Sequence, residues 1–508
     1  MDEKDRQQRL AVADAAAELQ GGRRGRRSFL RLCAQAGFGF SSFAFSSGCG
    51  KKSRETPSPQ AVAGTAGPVS AVDPLTEQHR FLRDVGRRFA GTKLRVVGED
   101  TSPSGAIVEM MREEFISVTG IEVQWERLPL ERVLAKVTAD TARGVGTHDI
   151  FYWDQAWLGR FADDAVDPRT LLERRDLAYP GYDFADFLPP LVDRCASYKG
   201  RLLGVPFDIP IFHMMYRRDL FEELGLSPPT TLAEYLRAAQ TITKAKAPKV
   251  FGTTGEWKSG HYSLECDMTV WLWAHGGSIF GADGRPTIGD ERAAAALEYM
   301  LELGKNSPPG VTTWDWFGAM GSVARGEAGL VILWSELFPA FEDPAKSKIV
   351  GLLEPASCPK EITLRSKQEC GFDETPGMSH QGGSCLAISR HSKNVDAAWL
   401  FLQWATSADV ATRACLLGGG SGTTRRSIFS DPRVKEKARV TTGTTRHYDV
   451  LLDAILHRMG TEPHLPSFPE LATEGFAVEL GKLTTRQQGV KETLDNMARA
   501  AAKAAQPR

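Results

Sequence analysis

The stretch from Lys93 to Asp154, KLRVVGEDTSPSGAIVEMMREEFISVTGIEVQWERLPLERVLAKVTADTARGVGTHDIFYWD, decides the fold class. Lys93 to Val97 is a short β-rich run that ends in Gly98-Glu99-Asp100. Ile107, Met111, Phe115 and Val118 then recur at spacings of four, four and three, which is one face of a helix. Gly120 stands where that helix must end, since a left-handed backbone is easiest for glycine. Ile121, Val123 and Trp125 alternate as a half-buried strand. Leu130, Val133, Leu134 and Val137 form a second helical stripe, and His148 to Asp154 reads as a third strand. The order β-α-β-α-β predicts an α/β fold with a parallel sheet flanked by helices. Ligands of such sheets sit beyond the carboxyl ends of the strands. Two acidic clusters land there, Glu99-Asp100 and Trp153-Asp154.

Downstream, Leu203 to Asp208 and Phe212 to Tyr216 flank Pro206 and Pro210, which cannot donate to a sheet ladder. This is expected to be an edge or connecting segment and a crossing between domains. Thr231 and Glu234 have the spacing of a capping box ahead of Tyr235, Leu236 and Ala239. Ala293 to Leu303 is a strong helix former, and Gly326 to Trp334 contains a compact buried strand. A strand at Cys385–Ile388 and a helix at Val395–Ala405 recover the α/β rhythm. Glycines 418 to 420 and Gly422 predict a flexible junction, and the tail after Phe468 reads as helical.

The chain has 508 residues, 42% of them hydrophobic and 25% charged, with a net charge of −1, which predicts two or three ordinary globular units. The first 49 residues carry eight Lys/Arg against five Asp/Glu, so the remainder is net acidic. Nothing is left to neutralise phosphates, and nucleic acid is not an expected partner. No apolar run approaches the ~20 residues of a membrane-spanning helix. Arg26-Arg27-Ser28-Phe29-Leu30-Arg31, followed by a weakly apolar stretch from Leu32 to Phe45, resembles a twin-arginine export signal. Ser46-Ser47-Gly48-Cys49 resembles a lipobox, with Cys49 as the lipidated residue. The Pro/Ala/Gly/Ser-rich run from Thr56 to Ser70 cannot bury enough apolar surface to fold, so residues 50–90 read as a flexible tether behind a lipid anchor. Six further cysteines (Cys195, Cys266, Cys358, Cys370, Cys385 and Cys415) permit disulfides outside the cytoplasm, with the pairing left open.

No phosphate-binding loop, zinc-protease pair or nucleophile elbow occurs, and the ten histidines are scattered singly. No cofactor, metal or catalytic group is therefore expected. What stands out is eleven tryptophans. A sugar ring offers an apolar C–H face to indole and hydroxyls to carboxylates at its rim, so a cleft lined by Trp and Asp/Glu is the physical form of a carbohydrate site. Trp271, Trp273, Trp399 and Trp404 read as core. Trp153 beside Asp154, Trp257 beside Glu256 and Trp334 beside Ser335 read as site residues.

The order of motifs resembles the extracellular solute-binding proteins of bacterial ABC transporters, the sugar-binding family that contains maltose-binding protein. The segments that carry the resemblance are Asp149-Ile150-Phe151-Tyr152-Trp153, Gly204-Val205-Pro206 with Tyr216 to Phe221, Gly225-Leu226 with Pro228 to Thr231, Phe317 to Trp334 with Gly326 to Gly329, Gly382 to Ser389, and Glu479 to Ala498. Arg217, Ala328-Gly329-Leu330 and Gly422 to Arg425 depart from the family pattern. The resemblance implies two α/β lobes, each a sheet flanked by helices. Lobe 1 would hold 91–207 and 340–417, lobe 2 would hold 208–339 and 418–508, and hinge crossovers would join them. A solute bound between the lobes would favour the closed form by its contacts to both. Trp153 and Trp334 would stack on sugar rings from opposite lobes. Asp208 would accept hydroxyl hydrogen bonds, with Glu99, Asp100, Glu256, Trp257, Gly382, Gly383 and Arg425 completing the site. The partners implied are a carbohydrate and the transmembrane permease subunits of an ABC importer, the protein itself acting as a monomer. Two other readings remain open: an extracellular carbohydrate-active enzyme, and a binding protein for a polyamine or an anion.

Overall fold

The computed structural model describes residues 74–506 apart from 362 and 419–422. The expected export signal, Cys49 and the low-complexity run lie outside the described residues. Twelve strands occur among them: β1 (Lys93–Glu99), β2 (Glu122–Leu128), β3 (Ile150–Asp154), β4 (Ser197–Tyr198), β5 (Arg201–Leu202), β6 (Val205–Asp208), β7 (Phe212–Arg217), β8 (Leu330–Trp334), β9 (Leu353–Ala356), β10 (Ser379–His380), β11 (Ser384–Ile388) and β12 (Met459–Gly460).

The larger sheet runs β2-β1-β3-β11-β6. Its first three strands are parallel, as the β-α-β-α-β order requires, and β11 lies antiparallel between β3 and β6. The intervening helix Ser102–Met111 is capped by Thr101, whose side chain accepts from Ser104, and its continuation ends at Gly120 with φ of 75°. β3 is central and buried at all five positions, because helices cover both faces of a parallel sheet. Phe115 of one covering helix meets Phe401 and Trp404 of another at 5.1 and 5.6 Å between ring centroids. Pro206 sits in β6, the edge strand, where a missing donor is tolerated.

The smaller sheet is antiparallel, in the order β8-β7-β9. Around it stand helices Leu232–Lys246, Tyr262–Ala274 and Glu291–Gly304 and the C-terminal pair Val478–Thr484 and Val490–Ala504. The capping box of Thr231 and Glu234 is formed in both directions. Every residue of Tyr262–Ala274 is buried, Glu265 and Asp267 included, so this helix is enclosed on all sides.

Two boundaries differ from the sequence reading. A helix at Pro74–Gly86 precedes the expected start of folded sequence, and Leu82 on it is buried in the core. The tether assigned to 50–90 therefore overlaps this helix from Pro74 onward. The segment after Pro339 also stays with the smaller sheet: β9 pairs with β7, with Met214 opposite Ala356. The chain returns to the larger sheet only at β11. The six cysteines are all buried and all free.

Candidate functional site

β3 and β8 end alike. Each gives way to a single 3-10 turn (Gln155–Trp157 and Ser335–Leu337) and then a four-residue helix (Leu158–Phe161 and Phe338–Phe341). Register brings the ends of β3, β11 and β6 together, since Ser384 faces both Asp154 and Asp208. β7 follows β6 through Ile209-Pro210-Ile211, and Phe212 pairs with Trp334. The strand ends of the larger sheet thus meet the end of β8 at one junction.

The junction is polar, acidic and closed. Glu462 accepts from Gln155 Nε2 at 2.6 Å and from Tyr262 Oη, and faces His380 Nε2 at 2.7 Å. Gln155 belongs to the larger-sheet side and Tyr262 to the smaller, so this network ties the two halves. His261 Nε2 lies 3.2 Å from Glu131, and Arg160 forms an ion pair with Glu470, both across the same divide. Gly159 lies so close to the His464 carbonyl that a Cβ there would be 2.1 Å from its oxygen. Glu256 accepts from Trp334 Nε1 at 3.1 Å, and its own amide donates to Asp267 at 2.9 Å.

Many polar atoms here are buried with no hydrogen-bond partner in the protein. They include both carboxylate oxygens of Asp208, Glu256 Oε1, Gln155 Oε1, Gln381 Nε2, Ser384 Oγ and Thr254 Oγ1. A folded protein seldom leaves such groups unpaired, because each costs about 1–3 kcal/mol. These atoms gather where the two halves meet.

Electrostatics agree. Burial lifts the Glu99 carboxyl to about 8, with the charge of Asp208 adding to the effect and Tyr152 opposing it. Burial likewise raises Asp208 to about 6, opposed by the nearby Thr101 and Tyr152 hydroxyls, and raises Asp267 and Glu374 to about 7 against the hydrogen bonds those two receive. Asp154, Glu256 and Glu336 are pushed well above the usual carboxylate range, again by burial first. Glu462 goes the other way, because His380 and its hydrogen bonds outweigh its burial. Raised carboxyls hold protons in the folded form that the unfolded chain has released. Their stabilisation is present at low pH and lost as pH rises through the folded values. Buried His213 and His464, held down at about 4, act oppositely, but only up to the ordinary histidine value of 6.5. Between about pH 6.5 and 8.5 the raised carboxyls favour the unfolded state increasingly as pH rises, so the urea midpoint of the unliganded protein should fall across that window. A midpoint that is flat or rising there would refute this assignment of protons.

The expected site residues separate into two groups. Glu99, Asp154, Asp208, Glu256, Trp334, Gly382 and Gly383 stand at the junction. The Gly382 amide donates to the Pro210 carbonyl at 3.0 Å, and a Cβ on Gly382 would lie 3.0 Å from the Trp334 ring. The rest do other work. Trp153 is fully buried and packs on Phe151 and Phe161 at 6.0 and 5.6 Å, so it has no ring face to offer a solute. Trp257 donates to Asp267 at 3.0 Å and packs over Gly304, facing a groove also lined by Pro309, Val311 and Leu483. Asp100 is exposed and paired with Arg127 at 2.9 Å. Ser335 Oγ accepts from the Ile211 amide at 3.1 Å, a tie between strand ends. Arg425 is fully buried with its donors spent on the carbonyls of Thr406, Asp183 and Tyr182 and on Asp186, its guanidinium 3.9 Å from the Phe187 ring centroid.

Gln155, Tyr262, Asp267, Glu336, His380 and Glu462 were not singled out in sequence. They come from five separate segments, Tyr262 and Asp267 sharing one helix, and only Gln155 and Glu336 carry a signal, each following a strand with an aromatic residue at or next to its end. Cys266, His380 and Glu462 place one ligand atom each within 4.8 Å of the others, as a metal site would. Glu462 is already satisfied by His380, Tyr262 and Gln155, so a closed hydrogen-bond network accounts for that cluster.

The model of the family described as bacterial extracellular solute-binding protein matches residues 110–442. The chain belongs to this family. Among solved structures, a ribitol-bound ABC transporter solute-binding protein of Agrobacterium radiobacter K84 superposes with a TM-score of 0.71 at 25% identity, covering 82% of this chain and 99% of the other. A mannitol-binding protein of Pseudomonas aeruginosa is 25% identical over 65% of this chain and 73% of its own length. A protein of Sinorhizobium fredii named a probable amino-acid ABC transporter periplasmic-binding protein is 24% identical over 69% of this chain and 77% of its own. The two sheets are the two lobes of this solute-binding fold, and the family is one of exported binding proteins.

Proposed function

We propose that this solute-binding protein is the substrate-binding component of an ABC importer for a small polyol or sugar. The observation that carries this reading is the set of unpaired buried oxygens and amides where the lobes meet. Hydroxyl groups both donate and accept, so one polyol can satisfy carboxylates, a Gln amide and a Ser hydroxyl together. A sandwich of two indoles is not available, because Trp153 is enclosed, which favours an acyclic polyol or a single sugar over a long oligosaccharide. An α-amino acid fits less well. Its carboxylate would need a cation, and among the described residues no Lys or Arg hydrogen-bonds to the junction carboxylates Glu99, Asp154, Asp208, Glu256 or Glu336. Similar proteins are reported with ribitol and mannitol, which supports the same choice. Closure over the solute would present the protein to permease subunits. Cys49, as a lipid anchor reached through the twin-arginine route, would keep a monomeric receptor near them.

The test is a thermal-shift panel of ribitol, D-mannitol, erythritol, D-glucose, maltotriose and the common amino acids. A ligand that binds only the native state raises the melting temperature, and the rise grows with concentration above Kd. The expected outcome is a rise with a polyol or monosaccharide and none with amino acids. A rise with an amino acid alone would overturn the proposal.

A further inference from the structure

The junction carries an excess of negative charge that a neutral solute would leave in place. Glu99 ends β1 and Asp208 ends β6 in the larger lobe, while Glu336 lies in the turn after β8 in the smaller one. Reciprocal bonds between Ile211 and Ser335 pin that turn to the crossover leaving Asp208: the Ile211 amide donates to Ser335 Oγ at 3.1 Å, and the Ser335 amide to the Ile211 carbonyl at 2.9 Å. Glu99 feels the charge of Asp208, and Glu336 feels the charges of both Asp208 and Glu99. Asp208 is completely buried, with neither oxygen partnered. Glu99 receives only the Tyr152 hydroxyl, at 3.3 Å, and Glu336 makes no hydrogen bond or ion pair with any described residue. The cations on nearby segments are spent elsewhere, Arg127 on Asp100 and Lys258 on Asp315.

Like charges gathered out of water must be neutralised by protons or by a cation. Both lobes contribute to the cluster, so a cation held there would also bridge them and favour closure. Resting on the polyol reading, we infer that the solute is an amine-bearing polyol, an amino sugar or amino alditol. Its ammonium group sits among Glu99, Asp208 and Glu336, and its hydroxyls meet Glu256, Gln155 and Ser384. The amine is held by charge-assisted hydrogen bonds, and no covalent step is involved.

Matched pairs test this: D-glucosamine against D-glucose, and 1-amino-1-deoxy-D-sorbitol against D-sorbitol, titrated calorimetrically at about pH 7.5, with spermidine as a cation that lacks hydroxyls. In at least one pair the amine member should bind about tenfold tighter or more, the scale of a charge-assisted hydrogen bond. Glu336→Gln, a change that keeps the size of the side chain and removes only its charge, should shrink that advantage to less than about threefold. Glu99→Gln provides a second, independent variant. A neutral member that binds as tightly as its amine overturns this inference and leaves the polyol reading standing. Spermidine binding tighter than every hydroxylated amine, or no binding by any sugar or polyol, overturns both.

Discussion

Asp208→Ala should make the unliganded protein more stable while its affinity for solute falls. Asp208 is fully buried at the end of the edge strand β6, and neither of its oxygens makes a well-formed hydrogen bond in the protein, the Thr101 and Tyr152 hydroxyls only standing near. Above pH 6 it is charged there, since its carboxyl titrates at about 6. A buried charged group without partners is a net cost to folding, and removing it should return about 1 kcal/mol. The same oxygens are the ones a solute hydroxyl would satisfy. Losing hydrogen bonds to a charged acceptor should weaken binding by about 1.5–3 kcal/mol, or roughly ten- to a hundredfold. Urea unfolding of the apo protein and calorimetric titration of the best ligand read the two effects separately. Opposite signs are the mark of a functional residue kept at the expense of stability. A variant that loses stability, or keeps its affinity, would show that Asp208 is structural.

Arg425→Met should behave in the reverse way, with a large loss of stability and no specific effect on the solute. Its guanidinium supplies three backbone carbonyls and Asp186, and lies over the Phe187 ring. Methionine fills part of the volume and offers no donor, leaving those carbonyls unpaired in the interior. Breaking a buried charged network by removing one partner costs about 3–5 kcal/mol. Arg425→Lys should recover little, because an ammonium cannot reproduce the planar fork. A urea midpoint corresponding to a loss below about 1 kcal/mol would contradict the clamp assigned to this residue.

These two residues show where the sequence was legible. Asp208 is expected at the site because the Gly-Val-Pro segment before it resembles the family pattern, and the structure places it at the end of β6. Arg425 stands near the same junction in the chain order, and only the three-dimensional path shows its donors turning into the larger lobe. The β-α-β-α-β unit from Lys93 to Asp154 could be read because helical and strand periods alternate cleanly there. The helix Val395–Ala405 has the bounds expected from its apolar run. β9 could not be assigned, since Leu353 to Ala356 is too short to show a period and its lobe is fixed only by pairing with β7. Trp153 was misread for a related reason. An aromatic residue at the end of a central strand and one at the rim of a cleft look identical in sequence, and burial between Phe151 and Phe161 depends on helices far along the chain. His380 and Glu462 carry no local signal, because their meaning arises from pairing across 82 residues.

The central claim is that the unpaired polar atoms between the lobes are the solute's binding groups. A crystal structure of the protein with the tightest-binding polyol or sugar tests it most directly. The account predicts solute hydroxyl or amine groups within hydrogen-bonding distance of both Asp208 oxygens and of Glu256 Oε1, enclosed between the larger and smaller sheets. A solute bound elsewhere, with those three oxygens still unpartnered, would contradict it.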